Sequence, residues 1–473
     1  MNNKKYFLIW ADNGAEINEL INTFAAHGHE LQYWVGLKEN TSQLKNIVFQ
    51  DHYEAWAGAP ASGLEKFLLP PSTELVSQMQ ATESMALTMM DKKFGDMTTN
   101  ARKHLYYQML GYWSRVLEHF KPDLIIFPAV PHTVYNFILY SLARRRGIKT
   151  VMFEDSWIID RLLAYEDWQV GDPRFAQKLL EYKNRTFKLA DLPDDLIKYY
   201  EEQTAPAADT TPLYMQEQRQ KFSRAARRRL LWKKIIPALR DGSLFRRAVR
   251  LFRRRGEPDL AKDYAKFQTE PNLSTPFIYV PLNFQPERTT CPQGGLFVDQ
   301  ILMVKTLAAA LPAGWQIYVK EHPSQWWLRG GVNYSPVRFP GYYEQLAKIE
   351  GVKLISPAIS TYELIKRSRA VATATGTAGW EALLRSKPAI IFGYPWYRDC
   401  PEVLRVSDLE TGRQALEKIA AGFKPRPQEM IKFLKILDEV SVRGHLEGYF
   451  DKIWKMTKRE SIRNVAEFCL KLL

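Results

Sequence analysis

Cysteine is scarce in this 473-residue chain: Cys291, Cys400 and Cys469 are widely separated and odd in number. That excludes a disulfide framework and Cys-x-x-Cys metal spacing, and points to a reducing cytosol. Long apolar runs are also missing. Tyr6 to Ala11 is too short for a signal-peptide core, and no window reaches the roughly 18 apolar residues that a membrane span needs. No internal repeat of solenoid period is present. Acid is nearly absent from one stretch. Between Arg219 and Arg255 there are 15 Lys or Arg and one acid, Asp241, while the rest of the chain holds 51 of each sign. The net charge of +14 is therefore a local device. What remains is a chain with 46% apolar residues, ample for packed cores and against disorder.

Strand and helix signals alternate in two blocks. In the first, Lys5 to Trp10, Glu30 to Val35, Asn46 to Phe49, Asp123 to Pro128 and Lys149 to Glu154 read as strands. A helix over about 15–27, a long helical region over 64–120 broken at Pro70-Pro71 and near Gly95, and a helix over 132–145 lie between them. The β-α-β order predicts a parallel sheet. The rhythm breaks over 160–270, where a polar stretch from Asp191 is followed by the strongly basic one. It restarts with strands at 277–282, 316–320, 352–355, 370–373 and 389–392 and a helix over 379–386. The expected organisation is an acceptor domain over 1–190, a linker or insertion over 191–274, a nucleotide domain over 275–425 and C-terminal helices over 426–473.

Two motifs carry the chemistry. The run Tyr318-Val319-Lys320-Glu321-His322-Pro323 ends a strand at a charged corner, with Lys320 and His322 on one strand face. About fifty residues later, Thr373-Ala374-Thr375-Gly376-Thr377-Ala378-Gly379-Trp380-Glu381 passes from a short strand directly into a helix. Unpaired amides at such a helix start attract an anion, and glycine lets a ligand approach the backbone. Each piece has a plainer alternative: a turn histidine, a tight connection, and an acid placed in the first helical turn by the dipole. Together they predict a nucleotide-sugar site at strand carboxyl ends. Asp12, Asn13, His132, Glu154 and Asp155 are the first block's candidates at strand ends. Glu154 and Asp155 are the best pair, because two acids ending a buried strand are costly without a partner.

In the basic stretch Phe245, Ala248, Val249 and Phe252 share one helical face, with Arg246, Arg247, Arg250, Arg253 and Arg254 around it. This reads as an amphipathic helix lying on an anionic membrane surface. The alternatives are a solvated helix packed by its Phe side and, more weakly, a nucleic-acid contact.

Tyr279-Val280-Pro281-Leu282-Asn283-Phe284-Gln285-Pro286-Glu287, Lys320-Glu321-His322-Pro323 and Gly376-Thr377-Ala378-Gly379-Trp380-Glu381-Ala382-Leu383 resemble the bacterial capsule polysaccharide biosynthesis proteins that include β-Kdo transferases. The resemblance spans about 275–400. It implies an α/β fold of the GT-B type, two Rossmann-like domains, here with a basic helical insertion and a helical C-terminal tail. It implies a glycosyltransferase taking a nucleotide-sugar, CMP-Kdo by analogy, with retention of configuration, and a glycan or glycolipid acceptor. Gln285, Lys320, His322, Thr375, Gly376, Thr377, Gly379 and Glu381 would bind the donor. Relatives carry acid chemistry after Gln285; here the nearest carboxylate is Glu287, a departure in spacing, with Glu154 and Asp155 as the further catalytic candidates. No cofactor or metal is expected, since no Asp-x-Asp element stands at a strand end and helix amides with basic side chains can neutralise a leaving phosphate. The expected location is cytoplasmic, peripheral on the inner face of the cytoplasmic membrane. The alternatives are a nucleotide-sugar 2-epimerase of the same plan and a non-catalytic, membrane-docked subunit of an assembly complex.

Overall fold

A computed structural model describes residues 3–11, 16–38, 47–205, 259–327, 337–447 and 456–473. Asp12, Asn13 and the five arginines of the amphipathic helix lie outside these residues.

In chain order the first block contributes β1 (Lys5–Ile9), β2 (Glu30–Gly36), β3 (Val48–Asp51), β4 (Leu124–Phe127), β5 (Lys149–Asp155) and β6 (Arg161–Tyr165). The second contributes β7 (Gln268–Thr269), β8 (Phe277–Pro281), β9 (Gln316–Lys320), β10 (Val352–Ile355), β11 (Ala370–Thr373), β12 (Ala389–Ile391) and β13 (Val403–Arg405). A last strand, β14 (Val442–Arg443), lies in the tail. They form two sheets, ordered β14-β6-β5-β4-β1-β2-β3 and β13-β12-β11-β8-β9-β10-β7. The second is parallel throughout, and the first is parallel except for β6 and β14. Strands such as Leu124–Phe127 and Ala370–Thr373 are buried at every residue, as parallel strands covered on both faces must be. Two Rossmann-like domains of this kind are the GT-B plan.

Three parts of the chain depart from the expected organisation. The helix Asp194–Thr204 is not linker: Leu196 is buried, and Tyr199 accepts a hydrogen bond from Trp380 Nε1 at 2.9 Å. The helix Leu260–Phe267 and β7 belong to the second domain, because Leu260 and Tyr264 fill its core and Tyr264 donates to Ile355 O. Two large apolar residues in a polar stretch suffice where a hydrophobic face waits for them. The tail is likewise no separate unit. Its helix Pro427–Val440 packs Phe433 against Phe175 and Trp380, and its helix Lys458–Leu470 lies on the helix Ile17–Ala26. β14 pairs with β6, and the fully buried Arg161 binds Asp195 and Asp438. These contacts pack the tail onto the first domain. Among the described residues no helix is long and apolar enough to cross a membrane.

Candidate active site

The cleft forms where β5 ends opposite the loop that leaves β8. That loop, residues 282–293, is fixed from below by a buried polar network. Arg338 and Glu321, both fully buried, pair through Nε to Oε2 at 2.7 Å and Nη2 to Oε1 at 3.2 Å. Arg338 also donates to Gln285 Oε1 at 2.6 Å and Asn283 O at 3.1 Å. Gln300 donates to Gln285 Oε1 and Asn283 O, and Gln325 exchanges bonds with the Gln285 backbone. Gln285 itself donates to Val298 O. Its amide is thus satisfied inside the domain, which corrects the expectation that it binds the donor.

The opposite end of the motif behaves similarly. Thr375 donates to Thr289 O at 2.6 Å and accepts from Asn283 Nδ2, so it ties the loop to the helix start instead of facing the cleft. That helix runs Thr377–Leu384 with Gly376 as its N-cap, two residues earlier than expected, which moves Glu381 out of the first turn. Gly376, Thr377 and Ala378 remain partly accessible at the helix start, where the first helical amides have no partner within the helix. Gly379 does not. It is buried, and a Cβ there would sit 2.3 Å from the Tyr397 hydroxyl, which donates to Gly376 O. Gly379 is thus a packing position. Gly379→Ala is expected to cost about 1–3 kcal/mol through overpacking, and Tyr397→Phe in the same chain should recover part of the loss. An unchanged melting temperature in Gly379→Ala would refute this reading.

At the β9 corner the two cations expected side by side are not there. Lys320 is buried and donates to Ile359 O at 2.8 Å and Thr361 Oγ1 at 2.7 Å. His322 accepts from Ser324 N through Nδ1, and burial lowers its pKa to about 4, leaving the ring neutral. The pattern could not show this, because the partners of Lys320 come from a loop forty residues on.

The first domain supplies the acids. Glu154 and Asp155 end β5, both buried. Glu154 Oε1 accepts from Gln293 Nε2 at 2.7 Å, a bond across the cleft, while its Oε2 is buried without a partner. Burial raises the Glu154 carboxyl above its ordinary range, against the pull of Gln293, Arg398 and Arg288. Asp155 Oδ1 accepts from Leu446 N at 3.4 Å, and burial, helped by Glu447, raises its pKa to about 7. Glu287 is solvent-accessible but stands inside the cleft, where the surrounding protein raises its carboxyl while Thr289, Arg288 and Lys92 oppose the shift.

Arg288 joins these groups. Burial works against its charge, yet Glu447, Glu154, Asp155 and Glu287 outweigh it. It donates to Glu447 Oε1 at 2.9 Å. His132, the remaining strand-end candidate, donates Nδ1–H to Val130 O; burial, with Lys92 and Arg288, lowers its pKa to about 3. Lys92, Arg288, Gln293, Arg398 and Glu447 were not found from the sequence. Only Arg288 left a signal, since a loop that brings Glu287 to the cleft brings its neighbour. Among the described residues no group of three or more His, Cys, Asp or Glu is placed to hold a metal ion.

Residues 288–401 match the family model "Capsule polysaccharide biosynthesis protein". The capsule polysaccharide modification protein LipA of Neisseria meningitidis serogroup B is 28% identical over 183 residues, which are 33% of this chain and 24% of the relative. Among solved structures, the β-Kdo 2,7 transferase KpsC of Thermosulfurimonas dismutans aligns over 98% of this chain and 100% of its own, at 12% identity and a TM-score of 0.34. The UDP-GlcNAc 2-epimerase of Methanocaldococcus jannaschii aligns over 92% and 99%, at 12% identity and a TM-score of 0.24. The family that the motifs resemble is the one whose model matches residues 288–401, the stretch that holds Arg288 and the helix Thr377–Leu384.

Proposed function

We propose that this protein is a glycosyltransferase of surface polysaccharide biosynthesis, moving a sugar from a nucleotide donor to a glycan or glycolipid acceptor. One observation carries the reading. The loop 282–293 is clamped to the helix start through Thr375 and Thr289 O, and to the first domain's acid through Gln293 and Glu154. A site for an anionic leaving group and a set of carboxylates thereby share one cleft.

In this reading the amides of Thr377 and Ala378, at the positive end of the helix dipole, take the donor phosphate. Gly376 lets it approach, and Glu381 stands one turn further in. Asp155 accepts the acceptor hydroxyl proton as the new glycosidic bond forms, because its pKa of about 7 suits proton transfer near neutrality. Arg288 balances the charge of the carboxylates, and Glu287 faces the sugar. The bond to the donor phosphate breaks, and the amides at the helix start stabilise the charge it leaves. CMP-Kdo is the donor that the family resemblance favours.

A panel of CMP- and UDP-sugars, with mass-resolved products, tests the activity. Glu287→Gln should bind the donor as the parent does yet turn over at least ~100-fold more slowly, the low end for a positioned acid or base. Parent-like turnover would remove Glu287 from the chemistry. Donor binding with no transfer in the parent protein, across acceptors, would favour a non-catalytic subunit.

A further inference from the structure

The second domain has another charged concavity at the end of its sheet away from the cleft. A groove of about 410 Å³ opens where β8, β11 and β12 begin, beneath the carboxyl end of the helix Thr377–Leu384. Arg367, Arg369, Arg385, Lys387 and Lys424 line it, and no Asp or Glu does. Arg367 is paired with Glu363, and Arg369, Lys387 and Lys424 keep the hollow cationic. Outside the Arg219–Arg255 stretch the chain has equal numbers of acids and bases, so this imbalance is not a spillover of overall charge.

The floor of the groove is built. Arg385 Nη1 donates to Glu381 O at 3.0 Å and Lys387 Nζ to Ser368 O at 3.1 Å, so both are half-buried and held in place. Ser386 between them takes a φ of 55°, a left-handed helix end that glycine usually provides. Burial, then Lys424 and Arg369, push the Lys387 ammonium down. Arg369 and Lys424 stand exposed at the rim. The apolar residues of the groove, Leu273, Ile419 and Phe423, are not exposed, and none of the large exposed hydrophobic side chains of the described residues lies there. A bilayer would meet a concave surface with nothing to insert, whereas an extended polyanion would fit. The volume lies in the range of small-ligand pockets.

We propose that this groove binds an anionic glycan, a chain whose sugar units carry carboxylates. It would hold the polysaccharide against the back of the donor domain, about 12 Å from the donor phosphate along the eight-residue helix. The inference rests on the glycosyltransferase reading, and its test separates the two.

The probe is an oligogalacturonate titrated calorimetrically into the full chain carrying Arg246, Arg247, Arg250, Arg253 and Arg254→Gln, which lowers the charge of the basic stretch, while the rim substitutions below isolate the share of the groove. Saturable binding that weakens with salt is expected, with none for an uncharged malto-oligosaccharide. Adding Arg369→Glu and Lys424→Glu should weaken it at least about tenfold and leave CMP- and UDP-sugar affinities unchanged. Absent binding, or equal affinity with and without the two rim substitutions, would overturn the proposal. So would groove-dependent binding to phosphatidylglycerol vesicles or single-stranded DNA in place of the glycan. Glycan binding that persists when no nucleotide-sugar binds would sink the transferase reading and leave the groove standing.

Discussion

Replacing Asp155 by asparagine is expected to slow transfer by ~100-fold or more, with donor affinity little changed, because a general base contributes to the barrier and not to ground-state binding. The pH profile is the sharper readout. The carboxyl must be ionised to accept a proton, so the parent rate should climb through pH of about 7, and Asp155→Asn should lose that limb. Stability should move in the opposite sense. Folding raises the pKa from its ordinary 3.8 to about 7, so between those values the folded protein holds a proton that the unfolded chain releases. The stabilisation is complete below the lower value and is lost as pH rises through the upper one, by at most ~1.4 kcal/mol per pH unit. Asp155→Asn should flatten this slope as well. A variant with parent-like turnover and an unchanged alkaline limb would exclude Asp155 as the base.

The parallel layers were legible because each buried strand is a short apolar run closed by a turn, as in Leu124–Phe127 and Gln316–Lys320. β6 was not. Its Arg161 puts a charge into a strand buried at every residue, and the carboxylates that neutralise it, Asp195 and Asp438, are remote in sequence. The site divides in the same way. Glu154 and Asp155 could be found because two acids at the end of a buried strand need a reason. Gln285, Lys320, Thr375 and Gly379 look from sequence like ligand residues, because a motif shows which residue types are needed and not which way they point. The side chains of Gln285, Lys320 and Thr375 turn inward and hold the loops of the site, and Gly379 leaves room for the Tyr397 hydroxyl. Arg288 and Lys92 reach the cleft through a cis-proline loop and a long helical excursion whose paths no local pattern specifies.

Breaking the Glu321–Arg338 pair should have the largest effect on stability of any single change in the second domain. Both side chains are fully buried, and Glu321 also accepts from Tyr343 Oη at 2.7 Å and from His322 N at 2.7 Å. Arg338→Met leaves Glu321 charged without its counter-ion and strips Gln285 Oε1 and Asn283 O of a donor, a loss in the range of ~3–5 kcal/mol. The pair itself is worth less than that. Much of its attraction repays the desolvation of two ions, so the double variant Glu321→Gln/Arg338→Met should be more stable than Arg338→Met alone. Denaturant titration of the parent, the two single variants and the double variant gives the coupling directly. The network carries the loop 282–293, and that loop carries Glu287, Arg288 and Gln293. Arg338→Met protein that remains folded should therefore lose turnover more than it loses donor affinity, since the helix start at Gly376 is also held by Tyr397, which lies outside the loop. If Arg338→Met unfolds at the parent's denaturant concentration, or the double variant is no better than the single, the network is not what holds the loop.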